Sequence, residues 1–185
     1  MIHDIFSISA IELVAGLGYL IGHILLSKKH ILGWIAKILG GIAWVTFLMQ
    51  NENYIFMAVT TVVVLTMVYG LYKWNTGTYD TRTKVDLFFE VLVAAVAVVM
   101  ITRFLLSGVY DIAPIFEVFI VLAEVLGTIL LARKLILGWY LYILMSVLVG
   151  ILVIFINQHP ALLLGILELS SLYFYYKGIR NFQND

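Results

Sequence analysis

Long apolar runs alternate with short polar turns along the whole of this chain. The runs fall at about Ile5–Leu26, Ile31–Met49, Tyr54–Tyr72, Asp86–Leu106, Pro114–Ala132, Leu135–Ile156 and Ala161–Tyr176. Each is close to the roughly 20 residues that an α-helix needs to cross a bilayer, so the pattern predicts seven transmembrane helices. The third run is rich in Val and Thr, but a lone stretch of this length in lipid must satisfy its own backbone, which only a helix does. Pro114 opens the fifth run, where its missing N–H costs nothing. The interval Lys73–Lys84 is the longest polar segment and divides the chain.

The turn after the first run is written twice. Leu25–Trp34 reads LLSKKHILGW and Leu130–Trp139 reads LLARKLILGW, with seven of ten positions identical. The same shift of about 105 residues superposes Gly22 on Gly127 and Glu12 on Glu117. One further residue of slip brings Tyr69 onto Tyr173, Tyr72 onto Tyr176 and Lys73 onto Lys177. A repeat this long predicts a duplicated bundle. Counting the loops alternately puts every basic loop residue, from Lys28 to Arg180, on one side, and only Arg103 lies close to the other. The positive-inside rule then makes that side cytoplasmic, with the N-terminus outside and the C-terminus inside. Three-helix units joined directly would face opposite ways, so both basic turns can lie inside only if one extra helix separates them. The fourth run supplies it. The expected fold is therefore all-α and integral to the membrane: two parallel three-helix repeats, 1–74 and 112–185, joined by a loop and linker helix over 75–111.

Composition agrees. Hydrophobic residues make up 63% and charged residues 12%, and mean hydropathy is +1.07. That charge content is half of what soluble domains carry. A net charge of +0 gives no support to a nucleic-acid partner. Cysteine is absent, which removes thiol catalysis and thiolate metal sites. The four histidines lack metal-ligand spacing, no phosphate-binding loop is present, and neither a metal nor a cofactor is expected. The start MIHDIFSISA lacks the basic segment of a cleavable signal.

Ile11–Trp34 (IELVAGLGYLIGHILLSKKHILGW), Tyr69–Trp74 (YGLYKW), Gly138–Ser146 (GWYLYILMS) and Tyr173–Gly178 (YFYYKG) together resemble the PnuC family of bacterial nicotinamide riboside and vitamin transporters. Those proteins share the 3+1+3 arrangement of the SWEET sugar transporters. The resemblance implies facilitated uptake of a small vitamin or nucleoside, nicotinamide riboside first, with trapping by phosphorylation in the cytoplasm of a bacterial-type cell. Thiamine, riboflavin or a sugar are alternatives within that class. An intramembrane enzyme using Glu124 and Glu168, or a membrane adaptor, is the alternative outside it. Besides the substrate and the bilayer, a homo-oligomer is compatible with the sequence.

Depth along the helices nominates the polar candidates. Lys37, Tyr142, Glu124 and Glu168 all come out roughly 9–13 Å from the cytoplasmic ends, near the midplane. Intramembrane charges are costly and usually face the bundle interior with a partner. Lys37 either pairs with Glu124 or Glu168 or snorkels to the headgroups. Glu168 is too short to snorkel, and Glu12 and Glu117 lie near the outer surface. A flat, partly charged ring calls for aromatics, which nominates Trp44, Trp139, Tyr142 and Tyr173. Relatives carry Trp-x-x-Trp-x-x-x-Asn/Asp in the sixth helix, where this chain has Trp139, Tyr142 and Ser146, and commonly a Gln near the position of Thr60. With Tyr69 these complete the expected substrate site. Trp34 and Trp74, near helix ends, are expected in the interfacial belt. Gly16, Gly18, Gly22, Gly40 and Gly41 are expected at close helix contacts.

Overall fold

The computed structural model describes residues 10–52, 54–106, 112–152 and 162–183. They form seven helices and, among the described residues, no strand: α1 (Ala10–Ser27), α2 (Leu32–Gln50), α3 (Tyr54–Thr76), α4 (Lys84–Leu106), α5 (Ile112–Ala132), α6 (Leu137–Ile151) and α7 (Leu162–Gln183). Every predicted run is a helix over its described residues. Five of them are long and apolar enough to cross a membrane. Pro114 falls in the first turn of α5, as expected of that residue. The polar segments are shorter than the sequence predicts, because α3 continues to Thr76 and α7 to Gln183. Gly77, with φ +67°, ends α3 in the left-handed conformation that glycine adopts without a steric penalty. The turn expected at Ser107–Pro114 gives way to α5 from Ile112, and its remaining residues 107–111, like the expected turn at 157–160, lie outside the described residues.

Neighbouring helices close a cycle: α1 packs on α2, α2 on α3, α3 on α5, α5 on α6, α6 on α7, and α7 back on α1. α4 packs outside it, against α5 and α3. A buried cluster fastens its start. Lys73 Nζ binds Asp86 Oδ2 at 2.9 Å and the carbonyls of Thr78 and Thr81. Tyr69 donates its hydroxyl proton to the same carboxylate. The backbone N–H of Thr83 also donates to Asp86 at 2.6 Å, the reach-back half of a capping box at the helix start.

The duplicated turns match down to their backbones. His30 N–H donates to Leu25 O and Lys29 N–H to Leu26 O, each at 2.9 Å. Leu135 N–H donates to Leu130 O and Lys134 N–H to Leu131 O, also at 2.9 Å. Each set is a Schellman cap, and its left-handed residue is lysine in both copies, at φ 58° and 55°. Just beyond, a Cβ on Gly33 would stand 2.8 Å from Gly22 O, and one on Gly138 2.7 Å from Gly127 O. The helix crossings are that close, as the glycine spacing predicts.

Trp34 and Trp139 are both fully buried. Trp34 lies flat over Gly70 and meets Trp74 edge-on at 5.7 Å; Trp139 lies over Gly178 and meets Phe182 edge-on at 5.7 Å. The belt position expected for Trp34 is thus incorrect: a glycine on the facing helix leaves room for the whole indole ring inside the bundle. The register expected for the third helix of each unit also needs correction. Contacts pair Gly70 with Gly178 and Trp74 with Phe182, a shift of 108. The expected partners differ in environment, since Tyr69 is buried whereas Tyr173 is 63% exposed. The sequence match was one helical turn out, and a four-residue slip nearly preserves the face while changing the depth.

Candidate functional site

A cavity of about 230 Å³ occupies the half of the bundle away from the basic turns. It follows α1 from Glu12 to His23, about 16 Å at helical rise. All six helices of the cycle line it, and its polar groups include Glu12, Tyr19, Thr60, Glu124, Glu168 and Ser171. Trp44 gives it a flat wall, with Phe47 stacked at 5.1 Å and 22°. Among the described residues, no lysine or arginine lines it.

Beneath the floor lies a hydrogen-bonded core. Lys37 is fully buried and donates from Nζ to the Tyr142 hydroxyl at 2.6 Å, 4.1 Å from the centre of that ring. Tyr142 and Thr128 hydroxyls are 2.7 Å apart, and Thr128 donates onward to the backbone carbonyl of Glu124. Thr128 has spent its proton, so Tyr142 donates to it. The chain therefore runs from ammonium to phenol to threonine to carbonyl. Ser146 donates to Glu168 Oε2 at 2.6 Å. Tyr175 stacks on Tyr142 at 18° and its hydroxyl meets His23 Nδ1 at 3.1 Å. Below these, Trp34, Trp139, Leu26 and Leu131 fill the space toward the basic turns with fully buried side chains.

The predicted site residues divide into three groups. Trp44, Thr60, Glu124 and Glu168 line the cavity. Lys37, Trp139, Tyr142 and Ser146 stand under it in the buried core. Tyr69 and Tyr173 join neither: the first belongs to the Asp86 cluster and the second is on the outer surface. Of the two readings of Lys37, snorkelling is ruled out by its complete burial, and its hydrogen-bond partner is a phenol, not a carboxylate. Glu12, expected near the outer surface, lines the outer end of the cavity.

Sequence reading missed Tyr19, His23, Thr128 and Tyr175. A signal for three of them was available. The 105-residue shift that pairs Lys37 with Tyr142 also pairs Tyr19 with Glu124 and His23 with Thr128. Polar residues at equivalent depths in an apolar chain mark the centre of the bundle.

An apolar helical bundle around a partly polar central cavity is compatible with transport across a membrane. The family described as Nicotinamide mononucleotide transporter matches residues 9–180. The chain belongs to that family, the PnuC family, and is an integral membrane protein of the transporter class. No curated protein and no solved structure matches it.

Proposed function

We propose that this protein carries nicotinamide riboside across the membrane by facilitated diffusion. The carrying observation is the charge of the cavity wall. Among the described residues, Glu12, Glu124 and Glu168 line it and no lysine or arginine does. Nicotinamide riboside has a cationic pyridinium ring and no phosphate, so it matches a wall of carboxylates and aromatic faces. The mononucleotide adds a phosphate of about −1.5 to −2 charge, a value typical of phosphate monoesters, which would face the same carboxylates unpaired. Thiamine shares the cationic ring and is the competitor to exclude.

The transport cycle follows from the halves. The paired Schellman turns and paired Trp–Gly contacts support parallel three-helix repeats joined by α4. The side bearing Lys28, Lys134 and Arg180 is cytoplasmic by the positive-inside rule, as in a bacterial-type inner membrane with its C-terminus inside. The cavity then faces outward and the tryptophan layer closes the inner side. Rocking of the repeats about the floor would exchange these states. In purified protein, nicotinamide riboside is expected to bind at least about tenfold more tightly than its mononucleotide or thiamine. Kinase-free liposomes should equilibrate it without consuming it. Tighter binding of the mononucleotide would overturn the charge reading, and consumption would mark an enzyme.

A further inference from the structure

His23 stands at the deep end of the cavity, 1% exposed, and its two ring nitrogens are in unequal situations. Nδ1 is bonded to the Tyr175 hydroxyl, and Tyr175 is itself held flat against Tyr142. Nε2 is buried with no hydrogen-bond partner. A buried polar atom left unpaired is destabilising, and such atoms in native proteins call for a specific explanation. The ring is fixed on three sides by Tyr19, Tyr142 and Tyr175, with centroids 6.4, 5.3 and 4.8 Å away. Nε2 therefore cannot turn to find a partner elsewhere without breaking the Tyr175 bond.

We infer that His23 is a substrate-contacting residue whose Nε2 binds the carboxamide of the pyridinium ring. This rests on the nicotinamide riboside reading above. A neutral imidazole bonded through Nδ1 presents a donor or an acceptor at Nε2, depending on the tautomer. A primary carboxamide carries both an acceptor oxygen and donor N–H groups, so it completes either. Tyr19, which lines the cavity beside His23, offers a ring to the flat end of the substrate, and the carboxamide is the polar group on the edge of the substrate's ring. The ribose then points along α1 toward Thr60 and Glu12. The surroundings of that contact discriminate amide from acid: a nicotinate carboxylate would lie beside Glu124 and Glu168, which line the same cavity.

The test pairs side-chain and ligand deletions. In detergent, the parent protein is titrated with nicotinamide riboside, with pyridine riboside lacking the carboxamide, and with nicotinate riboside. The parent should bind nicotinamide riboside roughly five- to 150-fold more tightly than pyridine riboside, the range expected for one buried hydrogen bond. His23→Asn keeps an amide near the Nδ1 position, where it can still meet Tyr175, but has nothing at the Nε2 position. It should lose that preference while binding pyridine riboside like the parent. His23→Gln extends an amide to the Nε2 position and should restore most of it. A residue acting only on folding would weaken both ligands alike. Equal parent affinity for the two ligands overturns the inference even if no variant can be purified, and so does an unchanged preference in His23→Asn. Failure of the parent to bind nicotinamide riboside at all sinks the functional reading instead.

Discussion

Trp34 and Trp139 occupy matching places in the two halves, each over a glycine and edge-on to an aromatic ring, whereas Lys37 and Tyr142 occupy matching places and do opposite work. At the basic end the correspondence extends to Lys134 over Trp74 at 5.5 Å and Lys29 over Phe182 at 5.3 Å. Each third helix also bonds the other half's turn, Trp74 Nε1 to Leu131 O and Asn181 Nδ2 to Ser27 O. Toward the centre the matching ends. Lys37 is a cation and Tyr142 its acceptor; Tyr19 corresponds to Glu124, and His23 to Thr128. A frame that is closely matched carries contents that are not. Packing of backbones and rings tolerates little change, while a binding site for one asymmetric molecule requires unequal halves.

The largest expected effect tests where that matching stops. Lys73 of α3 is tied to Asp86, whereas the corresponding Asn181 of α7 makes one hydrogen bond to a backbone carbonyl. Asp86→Ala leaves a buried ammonium without its counter-ion and should cost about 3–5 kcal/mol, against about 1 kcal/mol for Asn181→Ala. Unfolding in mixed detergent–SDS micelles measures both, and equal losses would remove the distinction.

Next comes the centre. Tyr142→Phe strips the acceptor from a buried ammonium and should destabilise by about 1.5–3 kcal/mol. Lys37→Met combined with it should recover part of that loss, because removing both partners leaves neither unpaired. Simple additivity of the two changes would mean that the bond carries no coupling.

Gly33→Ala and Gly138→Ala each drive a Cβ into backbone, at 2.7 Å from Leu26 N and 2.7 Å from Gly127 O respectively. Both should lose about 1–3 kcal/mol, and by similar amounts. Gly150→Ala, whose Cβ would meet nothing nearer than 3.9 Å among the described residues, is the control. Tolerance in one half alone would break the common frame.

The smallest effect has the opposite sign. Lys29→Gly and Lys134→Gly relieve a left-handed conformation worth about 1 kcal/mol, offset by the lost contacts of Lys29 with Phe182 and of Lys134 with Tyr79 and Trp74. A net gain of about 0.5 kcal/mol is expected from each. A loss in either would show that the ring contact outweighs the backbone term.

Seven helices, their order and the duplicated turn were legible in the chain, because lipid demands long apolar runs and a Schellman cap needs only a local run of residues. Lys37, Glu124 and Glu168 were legible as central because an intramembrane charge has few places to go. Lys37's partner was not. Charge alone favoured a carboxylate, but side-chain reach and helix rotation set a tyrosine 105 residues away against it. The third-helix register escaped for a related reason: Tyr-x-x-Tyr-Lys recurs at nearly helical spacing, so a one-turn error keeps much of the pattern. Only the packing of Trp34 on Gly70 and Trp139 on Gly178 fixes the depth. His23 carried no local mark at all. Its place on the cavity floor, and the nitrogen it leaves unpaired there, arise from α1 and α7 meeting across 152 residues of sequence, which local pattern does not encode.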